Sequence, residues 1–427
     1  MSPLIVFSHL RWDFVYQRPQ QLLSRLAKDR QVVFVEEPMP GAARPLLERL
    51  QPCKGVEVLR CHVMGNSHGF TDENLPAMKL LLSQYMAHQE LKDYWLWFYT
   101  PMAVPLASIM QPAGIVYDCM DELSAFKNAP AELMLREDQL FSMADLVFTG
   151  GHSLYKAKSQ RHSHVSCFPS SVDAAHYARP RQNIALVQSV VASTGKTYCP
   201  PRLGYCGVID ERIDIGLIVA LADARPDWQI VMAGPVVKID LAGLPHRENI
   251  QWLGQQDYAD LPVLIHSWDV CLMPFALNDA TRFISPTKTL EYLAAGCPVV
   301  STPIHDVVTG YPDIVAIANS PQTFISACES ALNRSSEEIA AQVESVKTLL
   351  DNTSWDRTAH AMSLLIHEFG KTAADDLDEE VLLQTKLLTA KTSKFCVLST
   401  LNTPFQATSK SKNTRFPLSE STSSTVN

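Results

Sequence analysis

The 427-residue sequence lacks the marks of several large protein classes. No apolar stretch approaches the length of a membrane span, and the first residues lack the basic start and long apolar run of a signal peptide. Positive charge is in deficit: the net charge of −9 argues against general nucleic-acid binding, which usually requires a basic stripe. These absences predict a cytoplasmic protein, with contact at the inner face of the membrane left open.

Paired cysteines are also missing. The ten cysteines form no C-x-x-C pair, so buried free thiols are expected rather than disulfides. No His, Cys or Asp cluster has the spacing of metal ligands. We therefore expect neither an essential metal nor another cofactor.

What the sequence does contain is two series of short apolar strands alternating with helices. Hydrophobic residues make up 46% of the chain, enough for a sizeable core, and the length favours two domains. The alternation predicts an α/β fold of two Rossmann-like, doubly wound domains facing a central cleft. The expected parts are a first Rossmann-like domain (1–178), a linker (179–201), a second Rossmann-like domain (202–350), a helix packing back on the first domain (351–369) and a disordered Ser/Thr-rich tail (370–427).

Polar residues follow two strands of the first domain. His9 comes after the strand at 4–7, and Asp118 and Asp121 come after the strand at 114–117. Ligands of doubly wound sheets bind at the carboxyl ends of strands, so these three residues are candidates for catalytic or ligand-binding residues in the cleft. His9 could instead be an ordinary loop histidine, and one of the aspartates could simply cap the next helix.

Two further residues of this region have a functional and a structural interpretation. Arg18 could lean into the cleft or pair with Glu36 or Glu37. Trp12 could stack on an acceptor sugar or pack as an ordinary aromatic residue. The sequence leaves both choices open.

The stretch 285–302 is the most informative segment. Ser285 is a suitable N-cap and Pro286 suits the first helical position, so a helix is predicted to begin there. Free N–H groups beside Thr287 and Lys288 would attract an anion, and Glu291 lies about one turn further on, within reach of hydroxyl groups. A phosphate next to a sugar hydroxyl describes a nucleotide diphosphate.

The motif Ser-Pro-x-Lys-x-x-Glu-Tyr-Leu-Ala-Ala-Gly-x-Pro-Val-Val at 285–300, within two Rossmann-like halves, resembles the GT-B glycosyltransferases. The similarity is to bacterial family 4-type, or group 1, retaining enzymes. Gly234-Pro235 and Asn249–Gly254, which precede the motif in the chain, occur in the order that the family shows. In the first half, 18–21 and 117–122 resemble a subgroup from cell-surface polysaccharide clusters. The resemblance implies transfer of a sugar from a nucleotide diphosphate sugar to a glycan or lipid-linked acceptor.

The resemblance also assigns substrate-binding roles in the second domain. It implies that Glu291 binds the ribose and that Ser285, Thr287 and the charge of Lys288 meet the diphosphate. Arg212 would add a second positive charge, unless it only pairs with Asp210 or Asp214. Gly234 would face the cleft and Gly254 would line the base pocket.

One position departs from the family pattern. A second glutamate, which usually contacts the donor sugar, falls at Phe283, and Asp279, Thr281 or Arg282 could replace it. Two alternatives therefore stay open: a nucleotide-sugar epimerase of the same fold, and a non-catalytic protein that binds nucleotide sugars.

Overall fold

The computed structural model describes residues 1–89, 91–178 and 200–372. The predicted linker lies outside the described residues except for 200 and 201, and so does the predicted tail beyond 372. In the described part, the helices and strands form two mainly parallel sheets, each covered by helices. The predicted α/β architecture of two doubly wound domains is confirmed.

The first sheet has the strand order β3-β4-β2-β1-β5-β6-β7-β8 among the described residues. Its strands are parallel except for β3, which runs antiparallel to β4 at one edge. The strands are β1 Leu4–Ser8, β2 Val32–Glu36, β3 Leu46–Cys53, β4 Val56–His62, β5 Trp95–Phe98, β6 Gly114–Cys119, β7 Leu146–Thr149 and β8 Val165–Cys167.

The central strands of this sheet are buried on both faces. Every residue of β1, β2 and β5 is buried, because helices cover both sides of a parallel sheet and select continuous apolar runs. The covering helices are α1 Arg18–Leu26, α2 Leu75–Gln89, α3 Leu133–Met143 and α4 His152–Lys158, with the short α5 Ala174–Tyr177 after β8.

The second sheet is parallel throughout its described strands, in the order β11-β10-β9-β12-β13-β14. The strands are β9 Arg202–Cys206, β10 Gln229–Ala233, β11 Ile250–Gly254, β12 Val270–Met273, β13 Val299–Ser301 and β14 Ala316–Ile317. The helices are α6 Ile215–Ala224, α7 Leu261–His266, α8 Lys288–Ala294, α9 His305–Gly310, α10 Pro321–Leu332 and α11 Ser336–Asn352.

The last helix, α12 (Trp355–Thr372), packs against the first sheet. Trp355 and Met362 are buried in one apolar cluster with Leu22 of α1 and Val6 of β1. No helix within the described residues is both long and apolar enough to span a bilayer. The carboxyl ends of both sheets face one cavity, which holds the candidate site.

Candidate functional site

A cavity lies between the carboxyl edges of the two sheets. Both domains contribute to its wall, as expected for a site at strand ends. The residues that carry the following argument are Tyr16, Arg18, Gln21, Asp121 and Ser170 from the first domain, and Gly207, Arg212, Gly234, Gln255, Gln256, Ser285, Thr287, Lys288 and Glu291 from the second.

The floor on the side of the second domain is bare backbone. Gly207 and Gly234 both have φ +146, a conformation that L side chains rarely adopt. A Cβ on Gly234 would lie 1.9 Å from the carbonyl oxygen of Gly207, and a Cβ on Gly207 would lie 1.9 Å from Cε of Lys288. The two turns therefore pack backbone to backbone, with Lys288 laid across Gly207.

Gly254 helps to fix this floor but does not line the cavity. It has φ +68, and its carbonyl oxygen accepts a 2.7 Å bond from the Gly234 N–H. The wall continues with Gln255 and Gln256 instead. Gly254 thus shapes the turn that presents these side chains, and a base pocket at this end would be lined by them.

Glu291 and Lys288 come together at the base of α8. Burial raises the pKa of the Glu291 carboxyl, and the charge of Lys288 and the neighbouring Tyr177 hydroxyl oppose that rise. The helix is held against β9 because the backbone N–H of Cys206 donates a 2.9 Å bond to the Tyr292 hydroxyl. Lys288 and Glu291 consequently line the cavity from a helix that is anchored to β9.

The start of α8 differs from the prediction. The helix begins at Lys288, Thr287 is the residue before it, and Ser285 caps nothing. Instead, the Ser285 carbonyl accepts a 2.8 Å bond from the Ser170 hydroxyl, which also accepts a 3.2 Å bond from the Thr287 hydroxyl. Ser285 and Thr287 line the cavity, and they also tie the two domains together.

Arg212 both pairs with Asp210 and lines the cavity. Its Nε donates to both oxygens of the Asp210 carboxylate and its Nη2 donates to one of them, at 2.7–3.1 Å. None of these three bonds uses Nη1. Burial lowers the pKa of the guanidinium, but the carboxylate outweighs it and holds the pKa above its ordinary value. The cation lies over the Phe126 ring of the first domain at 5.2 Å. Arg212 is therefore paired with Asp210 and also lines the cavity.

Asp118 and Asp121 have different surroundings. Asp118 is fully buried and both of its oxygens accept bonds from Arg18, at 2.9 Å from Nη2 and 3.2 Å from Nε. Arg18 also donates to the Phe168 carbonyl at 2.8 Å, so it pairs with Asp118 rather than with Glu36 or Glu37. Asp118 is thus paired with Arg18 and does not line the cavity, and its predicted acceptor contact stays a prediction.

Asp121 lines the cavity opposite Arg212. Burial raises the pKa of its carboxyl, and the positive charge of Arg212 opposes the rise. Of the two aspartates, Asp121 is the one that lines the cavity.

His9 does not line the cavity. Its Nδ1 is buried without a hydrogen-bond partner among the described residues. Burial, reinforced by the charge of Lys238, lowers its pKa to about 4. His9 is therefore not among the residues that line the cavity, and its predicted acceptor contact stays a prediction.

Trp12 has a structural position. It packs edge-on against Phe34 with ring centroids 5.2 Å apart, in the apolar cluster of the first sheet. Of the two interpretations of Trp12, its position agrees with an ordinary packing residue.

Phe283 occupies the position of the family's second glutamate. Its ring packs against the core of the first domain. Thr281 is buried with its hydroxyl bonded within its own turn, and neither Asp279 nor Arg282 lines the cavity. None of the three expected replacements reaches the site.

Sequence reasoning missed a set of contacts across one end of the cavity. Tyr16 stacks on Tyr258 with ring centroids 4.4 Å apart, and Gln21 Nε2 donates a 2.9 Å bond to the Tyr258 hydroxyl. Tyr258 also stacks on His176 at 4.2 Å. Tyr16 and Gln21 lie on either side of Arg18-Pro19, the residues that mark the start of α1 in the sequence. The sequence around Tyr258 does not indicate which residues it contacts.

In the described part of the chain, no group of three His, Cys, Asp or Glu side chains could hold a metal ion. The charged groups at the cavity are instead cations that suit phosphate and carboxylates that suit hydroxyls.

Comparisons with known proteins concern the second domain and the fold. Residues 200–334 match the family model described as glycosyl transferases group 1. TuaH of Bacillus subtilis (strain 168), named for teichuronic acid biosynthesis, is 23% identical over 266 residues, which is 57% of this chain. The match spans 64% of the length of that relative.

Solved structures share the whole architecture. Sucrose-phosphate synthase from Thermosynechococcus elongatus superposes with a TM-score of 0.65 at 13% identity, covering 88% of this chain and 100% of that one. HepE of Anabaena in complex with UDP and glucose gives 0.62 at 12% identity, covering 86% and 100%. At this identity the likeness shows the fold, and it confirms the predicted GT-B arrangement.

Proposed function

We propose that this chain, a GT-B protein whose residues 200–334 match the group 1 glycosyl transferases, is a glycosyltransferase. It moves a sugar from a nucleotide diphosphate sugar to a glycan or lipid-linked acceptor. The observation that carries the proposal is the cavity, where Arg212, Lys288 and Glu291 surround a floor of bare glycine backbone.

The donor would bind on the second domain. Its diphosphate would lie over Gly207 and Gly234, where no Cβ blocks close approach, with Lys288 and Arg212 as counter-charges. The Glu291 carboxylate would accept bonds from the ribose hydroxyls. The base would reach Gln255 and Gln256, and because HepE was solved in complex with UDP, a uridine nucleotide is the first to test.

The transfer breaks the bond between the anomeric carbon and the phosphate oxygen and forms a bond from that carbon to the acceptor oxygen, while the proton of the acceptor hydroxyl passes to the departing phosphate oxygen. Two cations close to the leaving diphosphate would stabilise the negative charge that develops on it. Asp121 would hold the acceptor hydroxyl from the first domain. Retention of the anomeric configuration is part of the proposal and rests on the family resemblance.

The site also has means to exclude water, whose attack on the donor would compete with transfer. The Ser170–Ser285 bond, together with the Tyr16–Tyr258 stack, joins the domains on both sides of the cavity. A role in cell-surface polysaccharide synthesis, at the inner face of the membrane, is proposed from the name of the TuaH relative.

The direct test is a donor screen scored by release of the nucleoside diphosphate, with and without candidate acceptors. Glu291→Ala should lower kcat/KM by about 10–100-fold, the worth of charge-assisted bonds to a hydroxyl pair. Glu337→Ala, which removes an exposed carboxylate from α11, is the matched control and should change nothing.

The same screen separates the alternatives. Release undiminished in Glu291→Ala would refute the site. Interconversion of a nucleotide sugar without acceptor would identify an epimerase, and calorimetric binding of nucleotide without any turnover would identify a binding protein.

A further inference from the structure

Two cations of the second domain meet one aromatic ring of the first. Phe126 lies in the loop after β6, and Arg212 Cζ and Lys238 Nζ lie 5.2 and 4.7 Å from its ring centroid. Both distances are within the range of cation–π attraction. The ring therefore brings two positive charges together, and one of them, Arg212, lines the cavity together with Asp121.

The two cations differ in what neutralises them. Arg212 is bidentate to Asp210, so its charge is largely matched within its own loop. Lys238 is exposed, and no carboxylate of the described residues lies within ion-pair distance of it. Among the described residues, Lys238 therefore has the Phe126 ring beside it but no carboxylate that neutralises its charge.

The backbone holds Lys238 in place at a cost. Its φ of +61 is left-handed, which a non-glycine residue adopts at an expense of about 1–3 kcal/mol. The preceding residues are anchored to the neighbouring loop, because the Ile209 N–H donates to the Pro235 carbonyl at 2.9 Å and the Val237 N–H donates to the Ile209 carbonyl at 3.0 Å. The strained residue is consequently fixed relative to the Gly234-Pro235 turn of the cavity.

The charge of Lys238 acts on the acceptor side. Burial raises the pKa of the Asp121 carboxyl, and the charge of Lys238 opposes that rise. Burial lowers the pKa of His9, and the charge of Lys238 lowers it further. Lys288, by contrast, lies across Gly207 on the floor where the donor diphosphate would bind. The two lysines therefore serve different ends of the cavity.

We propose that Lys238 is a substrate-binding residue for the acceptor, and that the acceptor carries an anionic group, a carboxylate or a phosphate, near the hydroxyl that receives the sugar. This inference rests on the proposed function. An ammonium group that the Phe126 ring holds near Arg212, with no carboxylate partner among the described residues, is suited to an anion that arrives with the substrate.

The experiment compares three acceptors: octyl glucoside, octyl glucuronide, and glucose joined to farnesol through a diphosphate. With the wild-type protein, an anionic acceptor should give kcat/KM at least about tenfold above the neutral one. Lys238→Ala should remove that preference, with a much larger loss of kcat/KM for the anionic acceptors than for octyl glucoside, and should leave the KM for the donor unchanged. Lys238→Arg should keep most of the preference.

Lys127→Ala is the control, because Lys127 is an exposed lysine next to Phe126 whose contact with Glu211 is made by its backbone N–H. An equal loss with neutral and anionic acceptors in Lys238→Ala, or a raised KM for the donor, would overturn the inference. Which anionic acceptor is preferred identifies a uronic carboxylate or a lipid diphosphate as the source.

Failure here is distinguishable from failure of the proposed function. Absence of nucleoside diphosphate release from every donor would refute the transferase itself. In that case, ligand-observed NMR of octyl glucuronide with UDP present still decides the binding role, since Lys238→Ala must weaken that binding and Lys127→Ala must not.

Discussion

Substitution of Gly207 by alanine tests whether the glycine floor is what positions Lys288. The new Cβ would lie 1.9 Å from Cε and 2.5 Å from Nζ of Lys288, where about 3.5–4.0 Å is normal. Because these atoms are the end of a flexible side chain, Lys288 can withdraw, and its ammonium must then leave the cavity floor.

The magnitude has two parts. Placing alanine at φ +146 should cost about 1–3 kcal/mol of folding free energy. Loss of one charge-assisted contact to the diphosphate should weaken nucleotide binding by about 10–100-fold. Gly207→Ala is therefore expected to fold, with a clear loss of affinity for UDP.

Two other glycines calibrate this result. A Cβ on Gly234 meets backbone, 1.9 Å from the Gly207 carbonyl oxygen, so Gly234→Ala should cost more than about 4 kcal/mol. Gly243 has open space around its Cβ position, and Gly243→Ala should stay within about 0.5 kcal/mol of wild type.

Urea unfolding and calorimetric titration with UDP measure both parts. If displacement of Lys288 is the cause, adding Lys288→Ala to Gly207→Ala should weaken binding little further, because both changes remove one contact. Wild-type affinity in Gly207→Ala, or losses that add fully in the double variant, would refute the reasoning.

Three further predictions concern stability. Burial, opposed by Arg11, raises the pKa of Glu37 to about 7, so the folded state binds that proton more tightly than the unfolded chain. Stability should then fall by about 3 kcal/mol as pH rises from 4.5 to 7, and Glu37→Gln should remove this slope in urea titrations; an equal slope in both proteins would contradict it. Asp118→Asn strips a buried guanidinium of its charge partner and should cost about 3–5 kcal/mol by urea unfolding, and a cost below about 1 kcal/mol would disprove the buried pair. Tyr258→Phe, which keeps the stack but loses the Gln21 bond, should cost about 1 kcal/mol, and Tyr258→Leu should cost about 0.5–1.5 kcal/mol more; equal melting temperatures would exclude a role for the stack.

The fold was largely predictable because buried parallel strands are continuous apolar runs. Leu4–Ser8 and Trp95–Phe98 are of this kind. The edge strand Leu46–Cys53 was missed, since it is mostly exposed and carries charges, and it forms only through its pairing with the next strand. The helix Ser336–Asn352 was missed too, although Ser335 and Glu338 form the capping box that marks its start.

The candidate site was predictable to the extent that it is local in the sequence. Lys288 and Glu291 lie on one helix whose surroundings can be inferred from its own motif. The Arg18–Asp118 pair joins residues 100 positions apart, and no local pattern indicates such a partner. The Tyr258 stack has the same character, because the rings stacked on it, Tyr16 and His176, lie far away in the chain.

The contrast between Asp118 and Asp121 has a physical origin in the length of β6. The apolar run ends at Tyr117, but the strand continues, and Asp118 and Cys119 still pair with Phe148 and Thr149 of β7. A residue inside the ladder projects onto a face of the sheet, where α1 supplies Arg18 as its partner. Asp121 lies beyond the last pair and is free to turn into the cavity. After β6, the candidate for a functional residue is therefore Asp121, the polar residue beyond the last residue paired with β7. The point where the apolar run ends in the sequence does not by itself identify that residue.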